Sequence, residues 1–422
     1  MANSIAVPGR DRRGLPLIRC RACGARELWP ILNLGAQPLA NALVQPTNVG
    51  KPVPRYPLAL VLCAACWLLQ LAESVPPTVL FADYPYFSSV IGALVAHARE
   101  IALRVVDEEG LGPDDLVMEI ASNDGYLLQH YRAAGIPVLG VEPARNIAVV
   151  AESRGIQTRC EFFDSTVAGK LIAEGLRPSV IHANNVLAHV PQLNSFVEGI
   201  AMVLKPGGVA IIEAPYVKNM LDDREFDTIY HEHLCYYSMT VLDRLFGAHG
   251  MTLERVERIP IHGGSLRVFA RHDEYAKPDG SVEALLEEDH AWGVDRPDAY
   301  LRFASGVLDT KMKLRDMLTR LKGEGARIAA YGAAAKGSTL LNTFEIGSET
   351  LDFVADASPH KQGLYMPAGD LEIRPPTALL EEQPDYVVLL AWNFADEIME
   401  QQREYRDGGG RFIIPIPEPR IV

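Results

Sequence analysis

The stretch Leu116–Tyr131, LVMEIASNDGYLLQHY, decides the fold. Leu116 to Ile120 is an apolar run of strand length, Ser122-Asn123-Asp124-Gly125 is a run of turn formers, and the residues beyond have helical spacing. A second short strand, Ile136 to Glu142, follows and ends in a carboxylate. This order predicts an open parallel sheet whose ligand lies beyond the carboxyl ends of the strands. Further strands are read at Ser179–Ala183 and Gly208–Ala214, with a helical stretch, Val190–Leu204, between them.

The turn lacks the GxGxxG spacing. Ala121 and Gly125 leave too little glycine for the backbone to hug a pyrophosphate, which argues against a dinucleotide. Asn123, Asp124 and Gly125 suit a cationic nucleoside without phosphates, such as S-adenosylmethionine. Glu119 on the first strand is electrostatically compatible with it, and Glu142 is placed to accept from ribose hydroxyls. Asn184, Asn185 and His189 lie at the end of a later strand, where ligand contacts are expected. A simple capped strand-helix junction is the structural alternative. His182, among strand residues, reads as a packed histidine.

The 422 residues are 48% hydrophobic and 22% charged, enough for two or three ordinary cores at roughly 100 to 200 residues per domain. Lys plus Arg total 40 against 54 Asp plus Glu, a formal charge of −14, which argues against a general nucleic-acid binder. The opening MANSIAVPGRDRRG has no apolar signal core, and the uncharged stretch Tyr56 to Ala72 is short for a membrane span. The expectation is a soluble cytoplasmic protein, a monomer or weak homodimer.

Four of six cysteines form two CxxC knuckles, Cys20/Cys23 and Cys63/Cys66. Together they offer four thiolates to one tetrahedral zinc with no coordination site left open, so the metal is structural. Disulfides do not suit a cytosolic chain, and a redox CxxC normally occurs once.

The densest chemistry is Glu225–Ser238, EFDTIYHEHLCYYS. Tyr230, Glu232 and His233 offer a phenol donor, a carboxylate and a near-neutral base, the parts needed to remove a proton beside a carbonyl. A helical turn would put Tyr230 and His233 on one face, whereas an extended segment would pair Tyr230 with Glu232. A metal bound by His231, His233 and Cys235 is the weaker reading, and two packed histidines the structural one. A tyrosine-rich stretch, Tyr84, Tyr86, Ser88 and Ser89, suits a lid over a polar ligand. After a helical region, Leu285–Gly323, the α/β pattern restarts at Arg327. There Lys336, Ser338 and Thr339 open a helix that suits a phosphate, or close packing on the sheet, and Asp356, His360 and Lys361 follow the next strand.

These motifs, CRAC, CAAC, YPYFSS, EIASNDG, NNVLAHV, FDTIYHEHLCYYS, HGGSLRVF, YGAAAKGSTLLN, DASPHKQG and AWNF in this order, resemble S-adenosylmethionine-dependent C-methyltransferases acting on TDP-linked keto-deoxysugars. The resemblance runs from about Cys20 to the C-terminus. It implies a zinc-binding module (1–75), a Rossmann-like methyltransferase domain (76–285) and a second Rossmann-like α/β domain for the nucleotide-sugar (286–422). It implies His233 as general base with Tyr230, Glu232 and Tyr84 as partners. Tyr86, Ser88, Ser89, His262, Tyr331, Lys336, Asp356, His360, Lys361 and Asn393 fall on the substrate side. The implied reaction is methylation at C3, with C5 as the alternative, next to the C4 ketone. O- or N-methylation of another metabolite, or a non-catalytic nucleotide-binding module, are the competing activities. Ala121 departs from the family's usual glycine. Its methyl is tolerated if φ is negative, and cofactor affinity is the property at stake.

Overall fold

The structure, a computed structural model, describes residues 19–80, 87–90, 92–367 and 370–422, without the side chain of His262. Strands β1 (Leu28–Pro38), β2 (Arg55–Cys63) and β3 (Leu69–Leu71) pair antiparallel in sequence. The first knuckle precedes β1, and the second is the turn from β2 to β3. Helix Gly92–Glu108 follows, burying Ala98, Ile101, Ala102 and Val105, one apolar stripe at helical spacing.

The chain then builds the expected parallel sheet from β4 (Val117–Ile120), β5 (Val138–Val141), β6 (Thr158–Arg159), β7 (Val180–Asn184) and β8 (Val209–Pro215). Next comes β9 (Cys235–Tyr236), which pairs with β3 instead: Leu69 faces Tyr236 and Gln70 faces Cys235. The hairpin of β10 (Met251–Ile259) and β11 (Ser265–His272) completes the large sheet, with β11 antiparallel to β8. The order is β10-β11-β8-β7-β4-β5-β6, so the strand direction of travel reverses between β4 and β7.

Alternation along these strands assigns the two faces. Val117, Val180, Val209 and Ile211 pack with helices Gly92–Glu108 and Leu128–Ala133. Met118, Ile120, Ile181 and Ile212 pack with Val167, Phe196 and Val197 of helices Ser165–Ala173 and Leu193–Val203. Both faces are covered, which is why the strands read as continuous apolar runs.

Helix Pro297–Gly323 leads to a third sheet: β12 (Ile328–Tyr331), β13 (Val354–Ala355), β14 (Ile373–Arg374), β15 (Tyr386–Leu389), β16 (Arg411–Ile414) and β17 (Arg420–Ile421). Its order is β14-β13-β12-β15-β16-β17, parallel except for β17. Both α/β sheets therefore have a reversal point where a crevice opens, β4/β7 and β12/β15. One contiguous apolar cluster runs through all three sheets. Among the described residues, no helix is long and apolar enough to cross a membrane.

Candidate functional site

The four knuckle sulfurs all lie within 4.8 Å of one another, with Cys20 to Cys66 and Cys23 to Cys63 at 3.5 Å. An ideal ZnS4 centre, with Zn–S near 2.3 Å, needs sulfurs about 3.8 Å apart, so the donors fit zinc. As bare thiols they cannot all ionise. The Cys66 thiol donating to Cys20 draws Cys20 down to about 5, while burial pushes Cys63 up to about 11. The knuckles are docked on the large sheet's helices, where Asn194 Nδ2 donates to the carbonyls of Arg21 (3.1 Å) and Ala22 (2.8 Å), and Arg244 to that of Ala65 (3.1 Å). Among the described residues, no other cluster of three or more ligand-type side chains is placed to hold a metal. His231 instead meets the Tyr56 carbonyl through Nε2 (3.1 Å), and Cys235 is buried in β9.

At the β4 end the turn closes on itself. Asn123 N–H donates to Glu142 Oε2 (3.0 Å), and Ala144 N–H to Glu142 Oε1 (2.8 Å). A carboxylate has about four acceptor positions, so roughly two remain on Glu142 for hydroxyls of a ribose. Asn123 Oδ1 accepts from the Ser88 N–H (2.8 Å), while Asp124 accepts from the Ser89 hydroxyl and pairs with Arg154 (3.0 Å). Ser88 and Ser89 thus sit on the β4 turn. Glu119 is buried, and its Oε2 has no hydrogen-bond partner. Burial, followed by repulsion from Glu142 and Glu213, pushes its carboxyl well above the usual range. A buried acid with one oxygen unpartnered and Glu142 close enough to repel it is electrostatically compatible with a cationic nucleoside. Asn184 and Asn185, at the end of β7, likewise each hold a buried Oδ1 without a partner. Gly125, at φ +80°, has no room for a side chain, because a Cβ would meet Ile156 at 2.8 Å.

Ala121 corrects an expectation. Its φ is +56°, not negative, so an L-alanine occupies the left-handed region that glycine adopts freely.

The reactive segment turns. His233 N–H bonds to the Tyr230 carbonyl (2.9 Å), which puts Tyr230 and His233 on one face. His233 Nδ1 lies 2.8 Å from the Thr228 carbonyl, which fixes the proton on Nδ1 and leaves Nε2 as the acceptor. Tyr230 Oη reaches Nε2 at 2.9 Å, and the ring of His189 packs edge-on at 4.9 Å between centroids. His189 itself is held down at about 4 by burial, and fully buried His182, bonded to Tyr131, at about 3. Glu232 is tied to the N-terminal region. Its Oε1 accepts from Asn41 Nδ2 (2.7 Å), and burial raises its carboxyl to about 7.

In the third sheet, Asp356 accepts from Ala333 N–H (2.7 Å) and Ser358 N–H (2.8 Å), with Lys361 at 3.5 Å. Lys336 faces Glu225 at 3.5 Å and the Trp392 ring at 5.0 Å, while Trp392 Nε1 donates to buried Asp227 (2.7 Å). Gly337 shows that close packing shapes this helix start, since a Cβ there would lie 2.9 Å from the Gly332 carbonyl. Tyr331 is buried, His360 exposed, and Asn393 half-buried in the turn after β15. Tyr84, Tyr86 and the His262 side chain lie outside the described residues. Sequence reasoning missed Asn41, Tyr56, Thr228 and Arg154. It also missed the pairing of Asp227 with Trp392, although both sit inside the quoted motifs FDTIYHEH and AWNF.

Family models match the chain as a zinc-binding domain over residues 20–81, a methyltransferase domain over 95–256 and a C-methyltransferase C-terminal domain over 260–417. The C-methyltransferase NovU of Streptomyces niveus is 35% identical over 410 residues, 96% of this chain and 97% of that protein. Solved structures include magnesium protoporphyrin IX methyltransferase from Synechocystis PCC 6803, with 15% identity, 42% of this chain, 83% of that chain and a TM-score of 0.34. Another is an S-adenosylmethionine-dependent methyltransferase from Clostridium acetobutylicum ATCC 824, with 12% identity, 46% of this chain, 95% of that chain and a TM-score of 0.34. With a full-length relative at that identity and three family domains in register, the chain belongs to the S-adenosylmethionine-dependent C-methyltransferases.

Proposed function

We propose that the enzyme methylates C3, next to the C4 ketone, of a TDP-linked 4-keto-deoxysugar. The observation that carries this reading is the tautomer lock on His233, with Nδ1 held by a backbone carbonyl and Nε2 presented beside a phenol. Nε2 removes the proton α to the ketone. The Tyr230 hydroxyl, released from Nε2 as that nitrogen takes the proton, donates to the oxygen where enolate charge develops. A placed base is worth about 10² to 10⁴ in rate, and one oxyanion donor about 3 to 4 kcal/mol, and both are needed because a ketone's α-proton is a weak acid at neutral pH. Glu119, Glu142, Asn184 and Asn185 would hold S-adenosylmethionine, which when bound supplies an electrophilic methyl group. A zinc held by Cys20, Cys23, Cys63 and Cys66 would have all four positions taken by sulfur, so its part would be to tie the N-terminal segments together. The third sheet, with its crevice at β12/β15, takes the nucleotide end of the substrate.

The test incubates a panel of TDP-4-keto-deoxysugars with the enzyme in D2O, first without cofactor and then with labelled cofactor. The expected result is α-proton washout without cofactor and one methyl on carbon with it. His233→Ala should abolish both while cofactor binding survives. Methylation of oxygen or nitrogen without washout would overturn the carbon-acid mechanism.

A further inference from the structure

The face of the Tyr230–His233 turn opposite the imidazole is anchored in the N-terminal sheet region. Asn41, just after β1, donates from Nδ2 to Glu232 Oε1 at 2.7 Å across 191 residues of sequence, and His231 Nε2 meets the Tyr56 carbonyl at 3.1 Å. Two residues beyond the base, β9 is held to β3. Val44, three residues after Asn41, exchanges both backbone hydrogen bonds with Tyr365 of the C-terminal region (2.8 and 2.9 Å). The Asn41–Val44 segment is therefore a strap that joins the C-terminal region to the turn bearing the base. Glu232 is only 4% exposed and, among the described residues, forms no ion pair with Lys, Arg or His, so a neutral amide is what holds its carboxyl. The histidines next to it are committed elsewhere: His231 to the Tyr56 carbonyl, and His189 to backbone groups of Glu232 and Asn185.

We propose that Asn41 is a positioning residue for the reaction, holding Glu232 so that the tight turn presents His233 and Tyr230 to the substrate. The inference rests on the reading of His233 as base. An unpaired buried carboxylate would pull the turn toward water. Because Tyr230 and His233 share that turn, a rotation there misaligns donor and base together. Burial raises the Glu232 carboxyl and Asn41 opposes that rise, so removing the amide moves the Glu232 titration upward.

The test compares the full-length parent, Asn41→Ala, Asn41→Asp and His233→Ala, following α-proton washout from TDP-4-keto-6-deoxyglucose in D2O without cofactor, and unfolding between pH 5 and 9. Asn41→Ala should lower kcat for washout about tenfold to a hundredfold with KM within about twofold, because a hydrogen bond to a charged group is lost. Asn41→Asp, equal in shape but bearing a like charge, should lose more. The stability deficit of Asn41→Ala relative to the parent should be small near pH 5 and grow toward pH 9, and the effects of Asn41→Ala and Glu232→Ala on washout should not add. A structural role alone would lower stability equally at every pH and leave washout per folded molecule unchanged, which would overturn the proposal. If His233→Ala still exchanges the proton, the reading of the base falls. If His233→Ala is inactive while Asn41→Ala matches the parent, only the role of Asn41 falls.

Discussion

The two parallel sheets solve the same problem at their reversal points with different remainders. Register aligns Ile120 with Val141 in one sheet and Tyr331 with Ala355 in the other, so Glu142 and Asp356 occupy equivalent places after the second strand. Each accepts an N–H from the loop after the first strand and one from two residues ahead. The difference lies around that shared bracket. Asp356 has Lys361 beside it, whereas Glu142 has no ion pair among the described residues, and two positions before the loop the first sheet buries Glu119 where the second has Ala330. An acid in that place costs stability until a cationic ligand arrives, whereas a methyl group costs nothing and binds nothing. The first turn thus keeps a buried carboxyl beside its bracketing glutamate, whereas the second has a lysine beside its aspartate.

The largest expected effect separates the two acids by what they support. Asp356→Ala orphans two N–H groups and should cost about 2 to 5 kcal/mol in chemical unfolding with cofactor affinity unchanged, whereas Glu119→Ala should weaken cofactor binding about tenfold or more, by calorimetry, without that loss of stability. Equal stability losses would erase the contrast. Next is the pH dependence of another buried acid, Glu232 on the Tyr230–His233 turn. The Glu232 carboxyl is raised from 4.5 to about 7 on folding, so the protonated form is favoured in the native state. The penalty for ionising it is absent below about pH 4.5, grows as pH rises and is complete above about 7, reaching about 3 kcal/mol. Glu232→Gln should therefore be more stable than the parent by up to about 3 kcal/mol at pH 8 and nearly equal to it at pH 5, as measured by urea unfolding. The smallest effect sharpens the comparison of the loops themselves. Ala121 sits at φ +56° where the second sheet has Gly332 at +102°, and Ala121→Gly should stabilise the protein by about 1 kcal/mol, read as a rise in Tm.

Local chemistry was legible in the sequence. The knuckle spacing and the strand-turn-helix at Leu116–Tyr131 depend on residues within one turn or one short loop of each other, whereas the face shared by Tyr230 and His233 hung on whether that segment turned, which the sequence left open. What escaped depends on distance along the chain. Nothing near Asn41 points to Glu232, and nothing in β3 points to β9, because tertiary pairing of short strands leaves no periodic trace. The short strands β6, β14 and β17 were unreadable for the same reason. Lys336 read as a phosphate seat because its helix context is visible, while its neighbours Glu225 and Trp392 lie far away in sequence. The left-handed φ of Ala121 was hidden because an alanine gives no sign of it in this sequence; only the glycine usual in the resembling family points there.

The pairing of β3 with β9 makes the cysteine-bearing segment a splint across the Tyr230–His233 turn rather than a detachable cap. A chimaera grafting that segment from one relative onto another would have to transplant residues 230–237 and the contact surface of Asn41 along with it. Exchange among these enzymes is therefore constrained by the hydrogen-bond ladder more than by the linkers between their named parts.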